Sequence, residues 1–163
     1  MRQFAAELGF SWMENWAYYM PLEKLFDLSD GVLPAEERSF VEHTFALPIV
    51  EAMEAAHEVR ERPCPLLERQ IVLDLQGQLV LCCAVYDFAK NGHLGTFLDM
   101  TPADLVRAKQ RHATCDTCMT KGLHMYANYY EYPDLAAKYE ELVQINLRRA
   151  PTPAIRSLPI ISG

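Results

Sequence analysis

Residues 63–83 read PCPLLERQIVLDLQGQLVLCC, and this stretch decides the fold that the sequence predicts. The pattern predicts two strands, at 69–75 and 78–82, and in the first of them Ile71, Leu73 and Leu75 alternate with Val72 and Asp74. Gln76 and Gly77 between them form a hairpin turn signal, since glycine tolerates the positive φ of a tight turn. One face of the first strand is expected to be buried. The side chains of that face are Ile71, Leu73 and Leu75.

The regions that flank the hairpin have helical patterns. A long bridging helix is predicted at 34–60, and Pro48 should kink or split it because proline removes a backbone donor. A second helix should begin at Thr101, which can cap it, with Pro102 in its first turn. A third is predicted at 134–149. The sequence therefore predicts an α+β fold in which helices surround a small β-hairpin.

Five cysteines lie within residues 64–118, a stretch that begins just before the hairpin and ends just after the helix predicted to begin at Thr101. They are Cys64, Cys82, Cys83, Cys115 and Cys118. An odd number without an export signal favours metal binding or catalysis over disulfides. Because the hairpin returns the chain near its starting point, Cys64 and Cys82 can face one another. The loop and helix that follow are long enough to bring the C-x2-C pair over them, so the pattern predicts a four-cysteine site.

Two kinds of metal centre suit four thiolates: a tetrahedral zinc ion and an iron–sulfur cluster. Zinc ribbons usually repeat a short chelate, whereas here the first two cysteines are 18 positions apart and only Cys115 and Cys118 form a short pair. This asymmetry favours the cluster. Cys82 and Cys83 are neighbours on a strand and face opposite sides, so only one can contact the site, and Cys82 is favoured. The alternatives are structural zinc and core cysteines without a metal.

The same residues resemble the SPASM and twitch domains, the auxiliary [4Fe-4S] domains of radical S-adenosylmethionine enzymes. The resemblance runs from Cys64 to about Met119. It includes the spacing at the start of this stretch, where twelve residues separate Cys64 from Gly77 and four separate Gly77 from Cys82. It continues through the Leu-Gly-Thr-Phe turn at 94–97 and the closing C-x2-C pair. No cysteine follows that pair in the sequence, which resembles the single-cluster, twitch-like form. The implied cluster ligands are Cys64, Cys82, Cys115 and Cys118.

The resemblance also implies an organisation for the chain. Residues 1–31 are expected to be the end of an α/β barrel-like unit, 32–62 a bridging helical segment, 63–150 the SPASM/twitch-like domain and 151–163 a tail. Because the C-x3-C-x2-C motif of the catalytic cluster is absent from this sequence, the chain alone is expected not to cleave S-adenosylmethionine.

The implied function is an auxiliary cluster that relays or accepts electrons and supports the domain structurally during substrate oxidation or modification. The implied partners are a catalytic radical S-adenosylmethionine barrel, upstream in the same parent chain, and a peptide or small-molecule substrate. The alternative function is a non-enzymatic interaction module stabilised by zinc.

The amino-acid composition disfavours two further classes of function, nucleic-acid binding and membrane insertion. With 22 acidic and 15 basic residues the net charge is −7, which disfavours a nucleic-acid partner because such a surface repels phosphates. No apolar run approaches the roughly 18 residues of a membrane helix, and no signal-peptide core is found. A cytoplasmic location is therefore expected. Half of the residues are hydrophobic, enough for a packed core.

Other residues near the cysteines are given structural interpretations. His93, His112 and His124 are expected at the surface or at the core edge rather than as ligands. Lys121 follows the C-x2-C pair, where its charge can tune a cluster's potential, although a surface position is the expected one. Packing is expected of the aromatic residues Trp12, Trp16, Tyr126, Tyr129, Tyr130 and Tyr132.

Overall fold

The computed structural model describes residues 2–9 and 21–149, and within them the fold is α+β and rich in helix. Trp12, Trp16 and the tail at 151–163 lie outside the described residues. No helix in the described ranges is long and apolar enough to cross a membrane.

The elements of the described ranges are ten α-helices, three short strands and two 3-10 turns. The helices are α1 (Arg2–Glu7), α2 (Leu22–Ser29), α3 (Ala35–Thr44), α4 (Ile49–Glu58), α5 (Leu66–Arg69), α6 (Phe88–Asn91), α7 (Pro102–Gln110), α8 (Ala113–Thr120), α9 (Leu123–Ala127) and α10 (Pro133–Arg149). The strands are β1 (Val72–Leu73), β2 (Gln78–Val80) and β3 (Gly95–Thr96), and the 3-10 turns are Phe97–Asp99 and Tyr129–Glu131.

The small sheet contains the predicted hairpin and one further strand. Strands β1 and β2 are antiparallel, and β3 pairs with the other side of β2, also antiparallel. The hairpin turn uses Gly77 at a φ of 76°. The Asp74 carboxylate closes the turn by accepting from the backbone N–H groups of Gln76 at 2.8 Å and Gln78 at 2.9 Å. The first strand is shorter than predicted because the chain before it forms helix α5.

The prediction of a buried face on the first strand is wrong. Leu75 is 100% exposed, and Ile71 and Leu73 are 52% and 44% exposed. Strand β1 is a two-residue edge strand, and none of the described elements covers this face. The buried side chains of the hairpin belong instead to its second strand and the residue after it, and they are Leu79, Val80 and Leu81.

The predicted bridging helix is two helices, as Pro48 led us to expect. Helix α3 ends before this proline, and α4 begins directly after it, so that Pro48 occupies the N-cap position. Helix α7 begins as predicted: the Thr101 side chain accepts from the backbone of Asp104, and the Asp104 carboxylate accepts from the backbone of Thr101. These local signals place the helix ends correctly because each depends on residues only a few positions apart.

The hydrophobic core is formed by buried side chains of both the N-terminal and the C-terminal helices, which pack against each other. Tyr139 on α10 packs with its ring centroid 4.8 Å from that of Tyr129, and its hydroxyl donates to the Ala52 carbonyl at 2.8 Å. Helix α4 contacts both α9 and α10 in this region, and α8 contacts α9. Gly122, between α8 and α9, has a φ of 74°, and a Cβ there would lie 2.6 Å from the Cα of His57 on α4. This close approach holds the end of α8 against the core.

Candidate metal centre

A cavity of about 40 Å³ lies where α5, α7, α8 and α9 meet the turn after β2. The polar side chains on its wall include Lys109, His124 and Asn128, and much of the remaining wall is apolar. The structure brings to this one wall all four of the cysteines that the sequence analysis selected as ligands. They are Cys64, Cys82, Cys115 and Cys118.

Cys64 lies in the loop between α4 and α5, and contacts with the C-terminal part of the chain hold that loop. The Arg62 guanidinium makes a two-point ion pair with the Asp134 carboxylate, with N–O distances of 2.9 and 2.6 Å. The Tyr132 hydroxyl donates to the Pro63 carbonyl at 2.6 Å, and the Arg62 guanidinium lies 5.4 Å from the centre of the Tyr132 ring. The loop is thus anchored to the start of α10 on the residues just before the cysteine.

Cys82 and Cys83 point to different surroundings, as expected for neighbours after a strand. Cys82 lines the cavity and is partly buried, whereas Cys83 is exposed. The backbone N–H of Cys83 donates to the Gln70 side-chain oxygen at 3.3 Å. The turn itself is joined to α2, because the Leu22 N–H donates to the Ala84 carbonyl at 2.8 Å.

Cys115 and Cys118 lie three positions apart on α8, so both occupy one face of that helix. The N-terminus of α8 is fixed by His112, whose Nδ1 accepts from the Thr114 N–H at 3.2 Å. The Thr114 hydroxyl donates to the Asn91 side-chain oxygen at 2.7 Å, which joins α8 to α6. These contacts aim the cysteine-bearing face at the cavity.

Burial raises the pKa of all four cavity cysteines. Desolvation is the largest cause in each case; it raises the pKa of Cys82 to about 11 and that of Cys115 to about 12. The pKa values of Cys64 and Cys118 are raised by the same cause. Buried thiols of this kind are protonated until a metal cation takes the place of the protons.

Lys109 is a residue that the sequence analysis missed. Its side chain is only 1% exposed and lies on the cavity wall. The ammonium donates to the Leu66 carbonyl at 3.0 Å and to the Gln70 carbonyl at 2.6 Å. A sequence signal for it existed, because Lys109 stands four positions after Leu105 and thus on the buried face of α7.

His124 and Asn128 bring two further polar atoms to the cavity, and both residues are almost fully buried. The Nε2 of His124 lies 2.9 Å from the Arg62 carbonyl and must carry the proton, since a carbonyl only accepts. The Asn128 amide donates to the His124 carbonyl at 2.7 Å. Burial lowers the pKa of His124. Its Nδ1 and the Asn128 Oδ1 have no hydrogen-bond partner among the described residues.

The other residues considered beside the cysteines have structural surroundings. His93 lies 2.8 Å from the Asp74 carboxylate, and His112 caps α8. Lys121 pairs with Asp30 and donates to Ser29 at 3.2 Å. Tyr126 and Tyr129 are buried in the core, in agreement with the packing expected of them, whereas 37% of Tyr130 is exposed.

The size of the cavity bears on what kind of metal group the cysteines could hold. Among the described residues no group of three or more His, Cys, Asp or Glu side chains is arranged to hold a metal ion. Zinc–sulfur bonds of about 2.3 Å would require sulfurs within roughly 4.6 Å of each other. The cavity of about 40 Å³ between the cysteines exceeds the roughly 10–15 Å³ that a water needs. Thiolate side chains are ligands for both zinc and iron–sulfur clusters, and the choice between the two stays a prediction.

Comparison with protein-family models, with curated proteins and with solved structures finds no match to this chain. The resemblance to SPASM and twitch domains therefore stays a prediction, based on the cysteine spacing and the hairpin.

Proposed function

We propose that this chain is an auxiliary [4Fe-4S] domain of a radical S-adenosylmethionine enzyme. The observation that carries the proposal is the arrangement of four cysteines, from three separate segments of the chain, on the wall of one buried cavity. The proposed ligands are Cys64, Cys82, Cys115 and Cys118. Four thiolates are the ligand set that such clusters use most commonly.

The shape of the cavity favours a cluster over zinc in this proposal. The four cysteines line a cavity of about 40 Å³, and among the described residues no group of three or more His, Cys, Asp or Glu side chains is arranged to hold a single ion. The wall between them is largely apolar, which suits a group that exchanges electrons and has no need of solvent. Cys83 plays no part in the proposed site, because it is exposed and absent from the cavity wall.

The proposed role is electron relay or acceptance together with structural support. A cluster with four thiolate ligands supplies a one-electron carrier and has no open position for substrate. The residues of this chain hold that carrier: the anchored loop presents Cys64, the turn after β2 presents Cys82, and α8 presents the remaining pair.

Catalysis and substrate binding are assigned in this proposal to a partner barrel. The C-x3-C-x2-C motif is not in this sequence, so the cleavage of S-adenosylmethionine and the binding of a peptide or small molecule require that partner. The proposal also places the protein in the cytoplasm, where free thiols stay reduced.

Metal analysis of matched variants tests the proposal. Wild-type chain prepared and reconstituted without oxygen should contain about four iron and about four sulfide and absorb visible light. Cys82→Ser should lose most of this iron, because it removes a proposed ligand. Cys83→Ser is the matched control and should keep it, because the neighbouring thiol faces solvent.

Two results would contradict the proposal. One tightly held zinc per chain and no iron after reconstitution would favour the zinc-stabilised interaction module. Loss of the cluster in Cys83→Ser but not in Cys82→Ser would show that the proposed ligand set is wrong at this position.

A further inference from the structure

Lys109 places a positive charge on the cavity wall, and the described residues give it no carboxylate partner. Its side chain is 1% exposed, and no ion pair involves its ammonium in residues 2–9 and 21–149. The two groups that accept from it, the carbonyls of Leu66 and Gln70, are neutral. Burying an unpaired ammonium is strongly unfavourable. A negative charge close by is therefore needed to explain the position of this lysine.

The groups that can carry this negative charge are the cysteines of the same wall. Lys109 lines the same cavity as Cys64, Cys82, Cys115 and Cys118. Thiols are neutral, but thiolates bound to a metal group are anionic. An ammonium has three N–H donors, and the carbonyls of Leu66 and Gln70 use two of them.

We propose that Lys109 is the counter-charge of the iron–thiolate group in this cavity and raises its reduction potential. The inference rests on the proposed function, since it requires the cluster to be bound. Reduction adds negative charge to the cluster, so a fixed positive charge at the wall favours the reduced form. The two carbonyls hold the ammonium in place, which makes Lys109 a positioning and tuning residue rather than a ligand.

The other lysine near the C-x2-C pair provides a matched control. The charge of Lys121 is already compensated by Asp30, and this residue is not on the wall of the cysteine cavity. Removing its charge should therefore leave the cluster's potential unchanged. The sequence pointed to Lys121 only as a lysine that could tune the cluster, with a surface position expected of it, and it did not single out Lys109.

A redox titration separates this role from a merely structural one. Reconstituted wild type, Lys109→Met, Lys109→Gln, Lys109→Arg and Lys121→Met are titrated with dithionite and redox mediators and followed by visible absorbance. In the two neutral variants at position 109, the equilibrium constant for one-electron reduction of the cluster should fall at least tenfold. This corresponds to a midpoint potential that is lower by about 59 mV or more. Lys109→Arg, which keeps the charge, and Lys121→Met should stay close to wild type.

Each remaining outcome decides for or against the inference. Neutral variants that hold iron with an unchanged midpoint would overturn it and leave the cluster proposal standing. If both neutral variants lose the cluster but Lys109→Arg retains it, the result supports the counter-charge role. If all three variants lose the cluster, the inference is overturned in favour of a packing role for Lys109. A wild type without iron and sulfide would overturn both this inference and the proposed function.

Discussion

Gly122 is the residue at which the cysteine-bearing helix is joined to the core. It lies at a φ of 74°, and the space that a Cβ would need is occupied by the backbone of α4, with the Cα of His57 at 2.6 Å and the Ala56 carbonyl oxygen at 3.0 Å. Because backbone atoms cannot rotate out of the way as a flexible side chain does, a larger residue here has to move a helix. The position therefore controls how closely α8 and α9 approach α4.

Gly122→Ala should destabilise the protein strongly for this reason. A left-handed conformation costs a non-glycine residue about 1–2 kcal/mol, and the steric clash adds roughly 1–3 kcal/mol. Gly31→Ala is the matched control, since Gly31 has a similar φ of 71° but open space where its Cβ would lie. The measurement is the free energy of unfolding in urea. Equal losses in the two variants would show that the close approach to α4 has no energetic role.

At the scale of elements, the loop between α4 and α5 is held by an ion pair with α10. Arg62 precedes Cys64 by two positions, and its guanidinium contacts both carboxylate oxygens of Asp134. This hydrogen-bonded pair lowers the pKa of Asp134 from 3.8 to about 2. The loop that presents the first cysteine is thus joined to the C-terminal helix by a contact that depends on a carboxylate charge.

The pH dependence of this contact follows from the direction of the shift. Because the folded pKa of Asp134 lies below its unfolded value, the pair stabilises the fold fully above pH 3.8 and loses its effect as the pH falls to about 2. Wild type should therefore have a higher urea midpoint than Asp134→Asn above pH 3.8, and this difference should shrink as the pH falls to about 2.

The control for this prediction is the same pair of proteins in an Arg62→Met background. Without the guanidinium, Asp134→Asn should have little effect at any pH. An effect of Asp134→Asn that persists at pH 2, or that survives the loss of Arg62, would contradict the role assigned to the ion pair.

At the scale of the whole molecule, the proposed metal site and the hydrophobic core are continuous. Cys82, Cys115 and Cys118 pack against the same core cluster that contains Leu25, Met125 and other buried side chains. The cavity is thus built into the centre of the fold and is not a surface attachment. Occupancy of the site should for this reason change the stability of the entire domain.

Removal of the bound metal should lower the melting temperature by at least about 5 °C. A ligand present at one hundred times its Kd stabilises a fold by about 2.7 kcal/mol, and each kcal/mol moves Tm by roughly 2–4 °C at this chain length. Thermal unfolding of the reconstituted and the chelator-treated protein, followed by circular dichroism without oxygen, measures the difference. Coincident melting curves would contradict a structural role for the metal.

The short-range signals in the sequence determined much of the fold. Gly77 predicted the hairpin turn, Pro48 the break between α3 and α4, and Thr101 the start of α7, and all three are present. The cysteine spacing predicted a four-cysteine metal site; all four cysteines line one cavity, and metal binding there stays a prediction. Such features are readable because each depends on residues close in the chain, or on a hairpin that returns the chain to its starting point.

Only the tertiary structure decided which surfaces are covered and which charges face the site. Alternation in β1 predicted a buried face, yet Leu75 is fully exposed, because burial depends on whether a distant element packs there. The third strand is two residues long, too short to carry a pattern of its own. The spacing of Lys109 from Leu105 indicates the buried face of α7, but its contact with the cysteine cavity emerges only where α7 meets α5. The local pattern specifies elements, whereas long-range packing sets the environment of each side chain.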